Sequence, residues 1–427
     1  MRVNSRLRRV VSSIAGAAAI ALIASGCTAE GDAQAAQPSQ VTGDLPADTV
    51  AALQAAVDQG MAATGASGAI VGVWAPWAGA WVAGIGETGP GSGEPVTTDM
   101  AFRITTMTRP MTCDALYGLV AENVVELDDP VSKWVQSSPD LENVTLKQLC
   151  DNTSGLARSR DAVMPNVFRT PERVWNWREL AATGLGRPRT EPGTAVTDSD
   201  TGYILLGLAL QNATGQTPAE LIRRYATSPL GLQHTSLPGG EAAAPGDPAL
   251  RGWHSSNADR EAACAAPSEM TKLSASIGAT DAGAVSTVTE LGIYAEALAE
   301  KVKGDDGKLT ERWAAARPVN PEADSWYQYA GGTYIAGSMI GQQGSLPGYL
   351  SSAWSDVDSG LTVAVVLNNS AASDALVSYL ARELAAIASK APARSGEKGP
   401  ESGLPWTAED YHARVAEKAV CPIDSAE

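Results

Sequence analysis

The chain has 427 residues, a hydrophobic fraction of 44% and a formal charge of −17. That length supplies ample core for one large domain or two small ones. The acidic balance argues against nucleic acid and against electrostatic docking on anionic lipid, and fits solubility outside the cell.

The N-terminus reads as a processing segment. Arg2, Arg6, Arg8 and Arg9 form a basic stretch, and the apolar run at 10–25 is too short to span a bilayer comfortably. It ends Ile23-Ala24-Ser25-Gly26-Cys27, which resembles a bacterial lipobox. Small residues there suit a signal peptidase, and the Cys27 thiol would carry the diacylglycerol. Residues 1–26 are therefore expected to be a signal peptide. Residues 27–45 are expected to be a lipidated cysteine and flexible tether, which holds the protein on the outer face of the cell membrane. Secretion with cleavage nearby is the alternative.

A pair of strands is expected at 69–74 and 80–84, turned by Pro76 and Gly79. Trp74, Trp77 and Trp81 cluster there, either as a ligand-lining surface or as core. Pro110 suits the first turn of a helix, where a missing N–H is harmless, and apolar spacing near 3.6 carries that helix to about Asn123. Helices follow at 203–211 and 218–226, and Thr287 is placed to cap another. Strands are expected at 333–340, 349–354 and 361–367, then a closing helix at 375–388. The composition of 389–404 turns to Ala, Arg, Gly, Glu, Lys, Pro and Ser, so 389–427 reads as linker and tail beyond a domain at 46–388.

Several ordered motifs carry a family likeness. Phe102-Arg103-Ile104-Thr105-Thr106-Met107-Thr108-Arg109 stands where the serine penicillin-recognising hydrolases read F-R-I-G-S-x-x-K. Leu127-Asp128-Asp129-Pro130-Val131-Ser132-Lys133-Trp134 matches L-D-D-P-V-S-K-Y, and the segment at 145–156 matches T-x-x-x-L-L-T-H-T-S-G-L with Asn152 at the histidine. Pro192-Gly193-Thr194 leads to Asp198-Ser199-Asp200-Thr201-Gly202-Tyr203, against P-G-T…Y-S-N-T-G-Y. Pro229-Leu230-Gly231-Leu232 matches P-L-G-M, the segment at 283–291 resembles G-G-L-x-S-T-x-x-D-L, and Gln342-Gln343-Gly344 stands at H-x-G or K-T-G. The chain resembles the class C β-lactamase and D-alanyl-D-alanine carboxypeptidase group, including its actinobacterial lipoproteins, over roughly 50–388. The resemblance implies an α+β, β-lactamase/transpeptidase-like fold, an antiparallel sheet flanked by helices with an inserted all-helical region.

The same resemblance assigns site positions. Thr106 falls at the nucleophilic serine, Arg109 at the lysine base, Asp198 and Asp200 at the Y-S-N tyrosine and asparagine, and Gln342 with Gly344 at the third motif. The oxyanion donors would be the backbone N–H groups of Thr106 and Ser345. Thr106 keeps a hydroxyl, but Arg109 has a pKa above about 12 and no lone pair to take a proton. Asp198 removes the phenol of the relay, and Gln342 removes the charged or proton-donating group. Arg109, Asp198 and Asp200 are expected to form a salt-bridged cluster in the old catalytic space. Two alternatives stand beside it: three unrelated solvent-facing substitutions, or a carboxylate acting as base for Thr106.

Four cysteines remain after Cys27, an even number that suggests disulfides in an exported chain and permits three pairings. The family's packing of the helices bearing Cys113 and Cys150 implies that pair and leaves Cys264 with Cys421 at the tail; free buried thiols are the alternative. His234, His254 and His412 are scattered and no C-x-x-C occurs, so neither a metal nor a cofactor is implied. Three functions compete. One is a surface lipoprotein that binds a peptidoglycan-type peptide or an envelope protein without turnover, the second an active carboxypeptidase, β-lactamase or esterase, and the third a scaffold with an empty cleft.

Overall fold

The computed structural model describes residues 41–136, 140–256, 264, 266–394, 399–400 and 403–422. The expected signal peptide and Cys27 lie outside the described residues.

Helix α1 (Ala47–Thr64) leads into the hairpin of β1 (Gly68–Ala75) and β2 (Gly79–Gly86), and β3 (Phe102–Arg103) precedes α2 (Thr108–Ala121). A helical region follows, with α3 (Val131–Trp134), α4 (Leu146–Cys150), α5 (Arg160–Arg169), α6 (Trp177–Leu185), α7 (Asp200–Thr214) and α8 (Pro218–Ile222). The short pair β4 (Trp253–His254) and β5 (Ser268–Glu269) comes before α9 (Ala279–Ala282), β6 (Val285–Ser286) and α10 (Val288–Glu300). The strands β7 (Arg317–Pro318), β8 (Tyr327–Ala330), β9 (Thr333–Ala336), β10 (Met339–Leu346), β11 (Tyr349–Asp356) and β12 (Thr362–Leu367) lead to α11 (Asp374–Ala388) and α12 (Ala408–Glu417).

Eight strands make one antiparallel sheet in the order β2-β1-β12-β11-β10-β9-β8-β7. Its central strands are apolar on both faces because both faces are covered. Val71, Val73, Val363 and Val365 pack in one layer with Leu53, Leu380 and Val415, from α1, α11 and α12. Ile70, Ala364 and Val366 point the other way, into a layer with Leu291 and Leu298 of α10. A third cluster, including Leu116, Leu149, Tyr203 and Leu206, is the core of the helical region. This is the α+β arrangement that the motifs imply.

Three local expectations change. The expected strand at 333–340 is a hairpin, since Gly337 takes φ of 60° and turns β9 back into β10. Thr287 sits before α10 in extended geometry, but its side chain makes no capping hydrogen bond. The expected tail contains α12, started by a capping box in which Thr407 accepts from the Asp410 N–H and the Asp410 carboxylate accepts from the Thr407 N–H. Trp406, Tyr411 and Val415 join the core. The Arg382 guanidinium donates to the Tyr411 hydroxyl at 2.8 Å and lies 4.4–5.7 Å from the rings of Tyr327, Trp354, Trp406 and Tyr411. Packing and cation–π attraction thus hold α12 against α11. Trp74 is core, and Trp77 packs against the sheet layer while donating to the Ala391 carbonyl at 2.9 Å.

Cys113 pairs with Cys150 and Cys264 with Cys421. The first links α2 to α4 behind the cleft. The second ties the end of the chain to its middle. Helix α2 is also held by a buried ion pair at its centre: Arg312 Nη1 meets Asp114 at 2.6 Å, while Nε and Nη2 donate to the carbonyls of Gly331 and Pro110 at 2.9 and 3.0 Å. The Tyr294 hydroxyl donates to the other Asp114 oxygen at 2.6 Å.

Candidate active site

The turn that should carry the nucleophile is present. Strand β3 pairs with β6, and the chain then makes a single tight turn at Thr105–Met107 before α2. Thr105, where the family motif has glycine, takes φ of 48°. A β-branched side chain in the left-handed region is strained, by roughly 1–3 kcal/mol. Its hydroxyl shares a hydrogen bond of 2.7 Å with Ser351 of β11, which helps fix the turn. Gly344 passes so close that a Cβ there would lie 2.4 Å from Thr106 Oγ1 and 2.8 Å from Thr106 N. The third-motif glycine is therefore required by packing alone.

Thr106 is buried, and its hydroxyl donates to the Gln343 carbonyl at 2.6 Å. That partner is neutral and cannot accept a proton. Arg109, in the first turn of α2, is fully engaged: Nη1 lies 2.6 Å from Asp198, Nε lies 2.7 Å from Asp281, and the guanidinium stands 4.9 Å from the centre of the Tyr203 ring. Burial opposes its charge, but Asp198 and Asp281 outweigh burial and hold its pKa well above the ordinary value. Desolvation at the cleft wall would raise Asp198, yet Arg109 and then Arg158 keep that carboxyl below the usual range. Burial raises Asp281, against the pull of Arg109 and Arg160.

The expected Arg109–Asp198–Asp200 cluster is thus half correct. Asp200 does not touch Arg109. It caps α5 instead, accepting from the Ser159 N–H at 2.8 Å, the Ser159 hydroxyl at 2.5 Å and the Arg160 N–H at 2.9 Å. The second carboxylate is Asp281 of α9, which sequence reasoning missed. Its signal was a lone acid inside Gly278-Ala279-Thr280-Asp281-Ala282-Gly283, a run of small residues where an ionised group needs a buried partner.

By capping α5, Asp200 also fixes Arg160. That guanidinium bridges Asp281, at 2.5 Å, and the Ser345 carbonyl, at 3.0 Å. Strand β10 pairs with β9 only as far as Gly341, so the edge beyond is open to the cleft. Along that edge the carbonyls of Gln343 and Ser345 are taken by Thr106 and Arg160.

Gln342 does not line the cleft. Its amide is buried and donates to the Tyr329 hydroxyl at 3.0 Å and the Gly332 carbonyl at 2.7 Å. The Tyr329 and Tyr203 hydroxyls meet at 2.8 Å, and Tyr203 donates to the Cys150 carbonyl. Burial pushes Tyr203 well above its ordinary pKa and Tyr329 up to about 12, so neither offers a phenolate at neutral pH. The cleft itself has a volume of about 220 Å³ and is lined by Thr106, Arg109, Asp198, Gly344 and Ser345, with Arg158, Phe168, His254 and Asp374 toward its other walls. Among the described residues, no group of three His, Cys, Asp or Glu is placed to hold a metal.

Comparison with known proteins agrees with this geometry. A 32% identical stretch of 158 residues matches the D-alanyl-D-alanine-carboxypeptidase/endopeptidase AmpH of Escherichia coli, covering 35% of this chain and 40% of that protein. The D-aminopeptidase of Cereibacter sphaeroides is 25% identical over 325 residues, 73% of this chain and 59% of its own length. The chain thus spans less than two thirds of these curated relatives. Among solved structures, a D-stereospecific amidohydrolase from Streptomyces sp. superposes with a TM-score of 0.64 at 24% identity, over 77% of this chain and 95% of the other. A penicillin-binding protein homologue from Pyrococcus abyssi gives 0.66 at 22% identity, over 84% and 80%. These two show the shared fold. The family model described as Beta-lactamase matches residues 53–386, which takes in the nucleophile turn, the Asp198–Asp200 segment and the β10 edge, and the chain belongs to the beta-lactamase family.

Proposed function

We propose that this protein is a catalytically degraded member of its family that acts as a binding or scaffolding protein of the cell envelope, anchored through a lipid on Cys27. Its partner would be a peptidoglycan-type peptide or an envelope protein. One observation carries the reading: the Thr106 hydroxyl donates to a neutral carbonyl, while the residue at the base position is a guanidinium locked between Asp198 and Asp281. General-base assistance, worth about 10²–10⁴ in rate, has no agent at this position. The two carboxylates considered as substitutes do not serve. Asp200 is consumed by α5, and Asp198 is held ionised and weakly basic by Arg109.

The hydrolase reading draws on the names of the relatives and on the hydroxyl that Thr106 retains. Fluorescent penicillin and a fluorophosphonate separate the two. Neither is expected to form a covalent adduct at Thr106 by intact mass and peptide mapping. A stoichiometric adduct there would overturn the proposal and restore acyl transfer.

A further inference from the structure

A second hydroxyl with a base beside it lines the same cleft. Ser370 Oγ lies 2.9 Å from His254 Nδ1. The two come from distant segments, which are locked together by main-chain bonds from the Trp253 N–H to the Asn368 carbonyl at 2.7 Å and from the Ser370 N–H to the Trp253 carbonyl at 3.0 Å. The Gly348 N–H donates to Ser370 Oγ at 2.9 Å. That bond occupies one lone pair of the oxygen, and in the tautomer that carries its hydrogen on Nε2 the Ser370 proton is donated to Nδ1. Both residues line the cleft, with Phe168 stacked on the His254 ring at 4.3 Å.

We propose that Ser370 and His254 form a nucleophile–base dyad, independent of Thr106, that accepts acyl groups from activated aryl esters. Ser370 Oγ bonds to the acyl carbon as its proton passes to His254 Nδ1. The imidazolium then returns that proton to the departing aryloxide, which leaves as the phenol. Water attacks the resulting ester, gives its proton to Nδ1, and releases the carboxylic acid with the serine restored. Burial lowers the His254 pKa, so the ring is neutral and basic at pH 7, while the Ser370 main chain partly offsets that shift by favouring the charged ring. Among the described residues no carboxylate is hydrogen-bonded to His254 Nε2, so within them the dyad lacks the third group that orients and charges a triad. Its range is accordingly confined to good leaving groups. Phe168 and Met164 supply an apolar wall for the aryl or acyl portion.

The test uses the full chain with a fluorophosphonate probe, followed by peptide mapping, and p-nitrophenyl acetate as substrate. We expect an adduct on Ser370, with a labelling rate that increases with pH through one ionisation below 6.5. His254→Gln should slow it by about 100-fold or more. Ser370→Cys keeps an acceptor for the Gly348 N–H, and its alkylation by iodoacetamide should slow when His254→Gln is added. Absence of an adduct on Ser370 of the wild type, or labelling that ignores His254→Gln, overturns the dyad and leaves the reading of Thr106 intact. An adduct on Thr106 instead overturns both.

Discussion

Two buried guanidinium systems touch helix α2, and they are built on different plans. At its centre, Arg312 has one carboxylate, Asp114, and two carbonyls, while Tyr294 fills the remaining carboxylate oxygen. At its first turn, Arg109 meets two carboxylates that each have a second arginine, Asp281 with Arg160 at 2.5 Å and Asp198 with Arg158 at 3.6 Å, and Asp198 is 42% exposed at the cleft. The first system is nearly closed, with one buried cation on one buried carboxylate and only the half-exposed Lys301 approaching Asp114 from outside, at 3.9 Å. The second is distributed, so each charge has a partial substitute. Closure suits a core. Distribution suits a cleft wall, where one carboxylate of the cluster is shared with solvent.

Arg312→Ala tests the closed plan and should have the largest effect. It leaves the buried Asp114 with the Tyr294 hydroxyl and the distant Lys301 at 3.9 Å, and should cost about 3–5 kcal/mol in denaturant melts. Arg109→Ala should cost less, about 1–3 kcal/mol, because Asp281 keeps Arg160 and Asp198 can turn to water. Equal losses would mean that the two systems do not differ.

The turn beside the distributed cluster can be sharpened next. Thr105→Gly removes backbone strain but leaves Ser351 without its hydroxyl partner. In a Ser351→Ala background only the strain remains to be relieved, and Thr105→Gly should stabilise by about 0.5–1 kcal/mol. A loss of stability there would show that φ of 48° at Thr105 carries no strain.

The smallest effect is expected at the far wall of the cleft. The folded-state pKa of His254 is depressed below its ordinary 6.5, so the native state favours the neutral ring. Its contribution is complete above pH 6.5 and is lost as pH falls through the folded value, because the unfolded chain takes up the proton first. His254→Gln should flatten the stability profile below about pH 6.5, where the unfolded imidazole begins to charge. An unchanged slope in that window would place the acid sensitivity elsewhere.

Much of this was legible in the sequence, because ordered motifs fix where the nucleophile turn, α7 and β10 fall. Arg109 and Asp198 do meet, and Thr106 lines the same cleft. Asp281 was not legible as the partner of Arg109, since 172 positions separate them and no local period links them. The role of Asp200 depends on α5, whose start at Arg160 is obscured by Pro165 inside it. Gln342 and Gln343 alternate across β10, and the motif alone does not reveal that the cleft takes the second while the first turns to Tyr329. Helix α12 leaves a short local signal behind the biased stretch at 389–404: Tyr411 and Val415 lie four apart after a Thr407–Asp410 capping box.

The disulfide between Cys264 and Cys421 spans 157 positions. Closing a loop of that length removes about 5 kcal/mol of chain entropy from the unfolded ensemble in the simplest polymer account. The larger consequence concerns cooperativity. A peripheral helix of ten residues would ordinarily fray and exchange its amide hydrogens through local opening. Here one end is stapled to the middle of the chain, and the other is gripped by Arg382 and Trp406. Its amides should therefore exchange only with the unfolding of the sheet on which it rests, which makes α12 part of the slowest-opening unit of the molecule.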